Sequence, residues 1–193
     1  MKKQSIYLFV LIISSFFLQS CSYNSIVSYD EGVKKAWADV EAAYQRRADL
    51  IGNLVETVKG EAKFEKETLV AVIEARSKAT SIQLKAEDIT PENMAKFQEA
   101  QAQLSGALSR LLAVAEQYPT LKATEAFSEL MNQLERTENR INIARRDYNA
   151  AVQNYNTQIR TFPSNITAMI FKFKEKEPFK ADPGAEKAPK VQF

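Results

Sequence analysis

Cys21 is the only cysteine of the 193-residue chain and histidine is absent, so few side chains can do covalent or metal chemistry. No His-centred proton relay, no His or multi-cysteine zinc site and no intrachain disulfide can be built. A di-iron centre of the Glu-x-x-His kind is excluded for the same reason. Carboxylate pairs such as Asp30-Glu31 or Glu65 with Glu67 have no histidine or nucleophile beside them and read as solvated faces. No catalytic residue, metal or cofactor is expected. The 26 Lys+Arg include Lys2 and Lys3 at the extreme amino terminus, and beyond them basic and acidic residues balance, which gives no electrostatic drive toward nucleic acid.

Two polar groups could still do chemistry of recognition. Arg47 falls on the apolar seam of a helical stretch, with Arg46, Asp49, Asn53 and Glu56 on or beside it. A guanidinium buried without a partner is strongly destabilising, so a carboxylate from a neighbouring helix, Glu138 or Glu116, is expected to meet it. Two uses fit: an ion pair that fixes helix register, or a pocket for an anionic ligand. Farther along, Asn142, Asn149 and Asn156 recur every seven residues, the last two directly after Tyr148 and Tyr155. This ladder is either a set of hydrogen bonds to an adjacent helix or water, or a docking edge for another protein.

Cys21 is explained by what precedes it. Lys2 and Lys3 lead into an apolar run from Ile6 to Leu18 broken only by Ser14 and Ser15, the pattern of a secretory signal over residues 1–20. The run is shorter than the roughly 20 apolar residues a bilayer core requires. It ends in Leu18-Gln19-Ser20-Cys21, which resembles the lipobox of bacterial lipoproteins; the resemblance implies a diacylglyceryl group and palmitate on Cys21. The competing readings are a core cysteine after a conventional cleavage site and an uncleaved anchor. Several acyl chains, at about 0.8 kcal/mol per buried methylene, would hold the protein on a membrane permanently.

Stepping along the chain, helical periodicity dominates from about Ser25 to Phe162, in a composition rich in Ala, Glu, Gln, Lys, Arg and Leu with only five Gly. The first helix carries Ile26, Val33, Trp37, Val40, Tyr44, Ile51, Leu54 and Val58 and ends near Lys59. A second, about Ala62 to Leu84, is expected to bury Phe64, Leu69, Val72, Ile73 and Ala79, with Gly60 either a kink or a turn. Thr90 with Pro91 and Glu92 starts a third, which runs through Met94, Phe97, Gln101, Leu104, Leu108, Leu111, Ala115 and Tyr118 to Pro119. The fourth repeats Phe127, Leu134, Ile141, Tyr148, Tyr155 and Phe162 at one heptad position and Leu130, Thr137, Ala144 and Ala151 at the other. Pro163 stops it. Ile166 to Phe173 is a short apolar segment that either covers one end of the helices or touches the membrane, with covering preferred. From Lys174 the prolines and mixed charge predict a disordered tail over 174–193. The organisation is then a signal (1–20), a lipidated anchor and short linker (21–28), a helical unit (29–173) and the tail.

Ordered blocks of this sequence resemble the LemA family, a bacterial group of membrane-attached helical proteins. They are Ala36-Trp37 with Arg46 to Gly60, then Ala107 to Leu111 with Glu116 to Ala123, then Glu138 to Ile141, Ala144 to Asn149, Tyr155-Asn156 and Arg160 to Ser164. Two departures stand out: Gly52 where the family often has Pro, and a cysteine anchor where many members have a transmembrane helix. The resemblance implies an all-α, antiparallel up-and-down four-helix bundle with long helices, and it implies no reaction. The expected function is a non-enzymatic interaction or scaffold protein of the cell envelope, exported and anchored to the inner or outer membrane through Cys21, with a protein partner. The alternative is a bundle whose interior takes a small amphiphile or anionic ligand, with Trp37 or Tyr44 against its apolar part. The oligomeric state does not follow from the sequence.

Overall fold

The computed structural model describes residues 2–61 and 64–180, with side chains from Ser22 onward. The side chains of the expected signal, the Cys21 thiol among them, and residues 181–193 lie outside the described residues. Among the described residues the chain is all-helical, with six helices: α1 (Lys2–Lys59), α2 (Lys66–Ser81), α3 (Pro91–Ala115), α4 (Pro119–Lys122), α5 (Glu125–Arg160) and α6 (Ser164–Phe171). Among them no helix is long and apolar enough to cross a membrane.

Breakers and caps set these bounds. Gly60 ends α1 in a full reversal rather than a kink: Glu61 N–H bonds the Val58 carbonyl, Phe64 N–H the Glu61 carbonyl, and α2 returns along α1. That return is pinned by Arg76 Nε donating to the Ala48 carbonyl at 2.7 Å and Trp37 Nε1 donating to the Leu84 carbonyl at 2.6 Å. Gly52 permits the first of these, since a Cβ there would stand 3.3 Å from the Arg76 guanidinium. Thr90 caps α3 by accepting from Asn93 N–H at 3.2 Å, and Thr124 caps α5 from Phe127 N–H at 3.3 Å. Pro119 does not extend α3, which closes at Ala115; it opens the one-turn α4, as suits a residue without an N–H to donate.

α5 packs along α1 and α3 along α2, with α6 laid across α1 and α5. The α1–α5 pairing is antiparallel, as Trp37 with Tyr148 and Arg47 with Glu138 define it. The expected apolar residues of α1 are all buried, as are Phe127, Leu134, Ile141, Tyr148 and Tyr155 of α5. Two expectations of burial fail. Ile73 is exposed and Thr68 takes a buried place on α2; Phe162 is 76 % exposed because α5 ends at Arg160, two residues short of the next heptad position.

The tail departs most from expectation. Residues 174–180 are not loose: Phe179 is 5 % exposed and packs against Trp37, Phe97 and Tyr148. After Lys172, in the left-handed conformation at φ 58°, the chain turns back and lies along α5 as an extended strap. Composition pointed to disorder because the polar side chains that hold the main chain of this segment are twenty or more residues away.

Candidate functional site

Among the described residues the buried apolar side chains form two clusters. The first contains Ile26 to Tyr44 of α1, Phe97, Ile141 to Ile159 and Phe179. The second contains Leu50 to Val58, Phe64, Leu104 to Ala115, Phe127 and Leu134. Arg47 lies between them, one helical turn from the last member of the first and the first member of the second. Its Nη1 donates to Ser105 Oγ at 3.1 Å and Glu138 Oε2 at 3.2 Å, and its Nη2 donates to Gln101 Oε1 at 2.6 Å and the Gln101 carbonyl at 3.4 Å. The guanidinium also sits 5.0 Å from the Tyr44 ring centre. Ser105 in turn donates to the Gln101 carbonyl at 3.1 Å.

Of the two carboxylates expected to meet Arg47, Glu138 does so; Glu116 pairs with Lys122 at 2.5 Å. Glu138 is half-exposed while the Arg47 side chain is 6 % exposed, so the cation is held mainly by the neutral groups of α3. Among the described residues the buried Arg47 Nε has no hydrogen-bond partner. Two hollows flank the layer between α3 and α5. One, about 240 Å³, is lined by Tyr44, Gln98, Gln101, Ser105 and Arg145; the other, about 490 Å³, by Ile51, Leu108, Leu112, Met131 and Leu134.

The remaining residues of the expected cluster do not converge on Arg47. Arg46 donates to Gln133 at 2.8 Å on the exposed flank; Asp49 accepts from Gln45 and faces Arg76 at 3.8 Å; Asn53 is exposed; Glu56 pairs with Lys59 at 2.6 Å. Gln101 and Ser105 were missed as partners, although Gln101 interrupts the apolar stripe of α3 and so carried a signal. Asp30 and Glu31 both meet Lys34, and among the described residues no group of three or more His, Cys, Asp or Glu could hold a metal ion.

The asparagine ladder is occupied by the strap. Asn149 Nδ2 donates to the Phe179 carbonyl at 3.2 Å while its Oδ1 accepts from Phe179 N–H at 2.8 Å. Asn156 grips Lys176 in the same two-way manner, at 2.9 Å each way. Tyr148 donates to the Glu177 carbonyl at 2.9 Å, and Lys176 Nζ lies 5.2 Å from the Tyr155 ring centre. Asn142 is exposed. The expected partner edge is therefore covered over Tyr148, Asn149, Tyr155 and Asn156 by the chain itself, which neither reading of the ladder foresaw.

Lys176 also reaches Asp30 at 2.8 Å, and Lys34 reaches it at 3.2 Å. Burial pushes the Asp30 carboxyl up, but hydrogen bonds and charge from Lys176 and Lys34 outweigh it and hold it below its ordinary value of 3.8. Tyr155, which faces the same carboxylate, is pushed up to about 12 by burial and the Asp30 charge. Burial and the Glu177 charge also raise the Tyr148 phenol.

Gln101→Leu leaves Arg47 short of its nearest acceptor and should cost about 3 kcal/mol in urea unfolding, whereas Arg47→Met/Gln101→Leu should recover most of it and Glu138→Ala should cost about 1 kcal/mol. Strap closure gains from a carboxyl whose folded value is depressed, so that gain is present above the unfolded value and lost as pH falls through the folded one. The Asn156 side-chain amide resonances should hold steady between about pH 8 and 5, then shift only below the ordinary carboxylate range. Asp30→Asn should remove that acid step.

Comparison with known proteins places this architecture. Two magnetosome proteins of Paramagnetospirillum magneticum, MamQ 1 and MamQ 2, are each 30% identical over 181 residues, covering 85% of this chain and 66% of their own length. Protein LemA of Metamycoplasma hominis is 27% identical over 161 residues, covering 83% of this chain and 70% of its own. This chain thus spans just under two thirds of the MamQ proteins. Residues 36–193 match the profile of the LemA family, a range that takes in Trp37, the Arg47 layer and the asparagine ladder. The chain belongs to the LemA family.

Proposed function

We propose that the protein is a non-enzymatic interaction or scaffold protein of the bacterial cell envelope: an antiparallel up-and-down four-helix bundle, exported, anchored to a membrane by acyl chains on Cys21, and presenting its faces to a protein partner. One observation carries the membrane side of this reading. α6 buries Ser164, Thr167 and Ala168 but leaves Ile166, Met169, Ile170 and Phe171 exposed, with Phe162 beside them. This apolar end lies where the anchor would be: Ser22 Oγ is 3.1 Å from Ser164 Oγ, and the Tyr23 ring centre is 4.7 Å from that of Phe171. Lys172 and Lys174 follow at once, exposed and suited to lipid phosphates. An exposed apolar patch beside a lipidated residue is consistent with a surface that rests on the membrane.

The test is metabolic labelling with palmitate together with membrane fractionation in native cells. Wild-type protein should carry label and sediment with membranes; Cys21→Ser should be unlabelled and largely soluble. A Cys21→Ser protein that sediments as fully as wild type would sink the lipoprotein reading.

A second reading is favoured by the unpartnered Arg47 Nε between two hollows. A small amphiphile could place an anionic head near Arg47 and its tail along Leu108, Leu112 and Met131. Calorimetry with laurate and laurylamine decides it. Saturable binding of laurate alone, lost in Arg47→Met, supports this reading; no heat, or equal binding by the variant, removes it.

A further inference from the structure

A helix and an extended chain share a spacing at the strap. Asn149 and Asn156 are one heptad apart, about 10.5 Å along the helix, and the residues they grip, Phe179 and Lys176, are three apart, about 10 Å in an extended chain. Each asparagine engages both the N–H and the carbonyl of one strap residue, so it reads main chain and no side chain. The tyrosine before each asparagine packs the side chain of that same residue: Tyr148 lies edge-on to Phe179 at 5.5 Å between centres, and Tyr155 lies under the Lys176 ammonium. A Tyr-Asn pair is thus one unit of recognition, used twice.

The closest side-chain contacts of the strap lie in two places, with Glu175 adding an exposed ion pair to Arg160 at 3.7 Å. Phe179 enters an aromatic box in which Trp37 stacks on it at 5.9 Å and Phe97 stands at 6.4 Å, with the Arg145 guanidinium 5.1 Å from its ring centre. Lys176 meets Asp30, a negative group that suits a basic residue at that position. Lys174, Glu175, Pro178 and Lys180 face outward and are exposed. The groove therefore asks of an occupant an extended backbone, one basic residue and an aromatic residue three positions later.

We propose that the Tyr148-Asn149 and Tyr155-Asn156 units, with Asp30 and the Trp37 box, form a binding groove for extended peptide segments of a partner protein with this basic-x-x-aromatic pattern, and that residues 174–180 are its resident, displaceable occupant. The inference deepens the interaction reading above by naming the class of partner. It does not depend on the anchor, so loss of peptide binding and retention of Cys21→Ser on membranes are separate failures. Tethering supplies the resident segment at an effective concentration in the millimolar range, so a free peptide meets a closed groove until the strap is weakened.

The experiment uses the full-length protein in detergent and a fluorescein-labelled peptide reproducing residues 173–183, followed by anisotropy and by emission of Trp37, the only tryptophan. Phe179→Ala should open the groove and bind the peptide at least about tenfold more tightly than wild type, the tether no longer competing. Lys176→Glu, which turns the strap against Asp30, should do the same from the other end and serves if Phe179→Ala loses helical circular dichroism. A peptide with Ala in place of its second Phe should fail to bind, and Asn149→Leu added to Phe179→Ala should remove binding of the unaltered peptide. No binding to either strap variant while helicity is retained would overturn the proposal. Binding that survives Asn149→Leu would also overturn it, as would sedimentation showing that the wild-type strap is exchanged between two copies of the chain.

Discussion

Among the described residues one buried cation, Arg47, fixes the register of the helices. Arg47 leaves α1 and is met on α3 by Gln101 and Ser105 and on α5 by Glu138, so one guanidinium ties together three helices. Apolar seams alone tolerate sliding, because one heptad position resembles the next. Sliding α5 by one turn would carry Glu138 about 5.4 Å from Arg47. It would also misalign the aromatic residues that follow. With Arg47 paired, Tyr148 falls opposite Trp37 and Tyr155 beside Asp30, which is the alignment the strap needs. The groove on one flank is thus a consequence of the polar layer in the middle.

The layer also explains why the apolar interior is divided. A charged group between Tyr44 and Leu50 interrupts the contacts that would otherwise join the two clusters, and the space around it is only partly filled. Gln101 provides both its side-chain and main-chain oxygens, and Glu138 approaches from the solvent side, so the charge is neutralised without being fully enclosed. Buried pairs of this kind add little net stability against an apolar alternative; their effect is to exclude other arrangements.

Much of this was legible in the sequence and some was not, for identifiable reasons. The heptads of α5, the stripe of α1 and the cap at Thr90 follow from periodicity and local hydrogen bonding, and the position of Arg47 on the seam announced a partner. The grouping of Arg46, Asp49, Asn53 and Glu56 with Arg47 failed because neighbours on a helix point in different directions: Arg46 faces the α5 flank and Asp49 faces α2. The strap was hidden because nothing local orders it. Its main-chain groups are satisfied by side chains of α5, and its one buried aromatic, Phe179, stands alone between a proline and a lysine. The repeated Tyr-Asn pairs at 148 and 155 were the visible half of that interaction, and an asparagine ladder beside a buried seam is a request for extended backbone as much as for another helix.

Position along α1 connects the two proposals. Measured from Cys21 at about 1.5 Å per residue, Asp30 stands about 14 Å away, Trp37 about 24 Å and Arg47 about 39 Å. If acyl chains hold Cys21 at the bilayer, the peptide groove lies in the first layer above the headgroups and the polar layer lies beyond it. A segment that reaches the groove then has to come from a chain that is itself close to the membrane. The exposed apolar face of α6 bounds the groove on the anchor side, and the strap begins directly after α6, so whatever α6 rests on sets the starting point of the strap. From α6 outward the chain then meets Tyr23 through Phe173, Arg160 through Glu175, Asp30 through Lys176 and last the aromatic box through Phe179, so the box is the contact farthest along the chain from the anchor end.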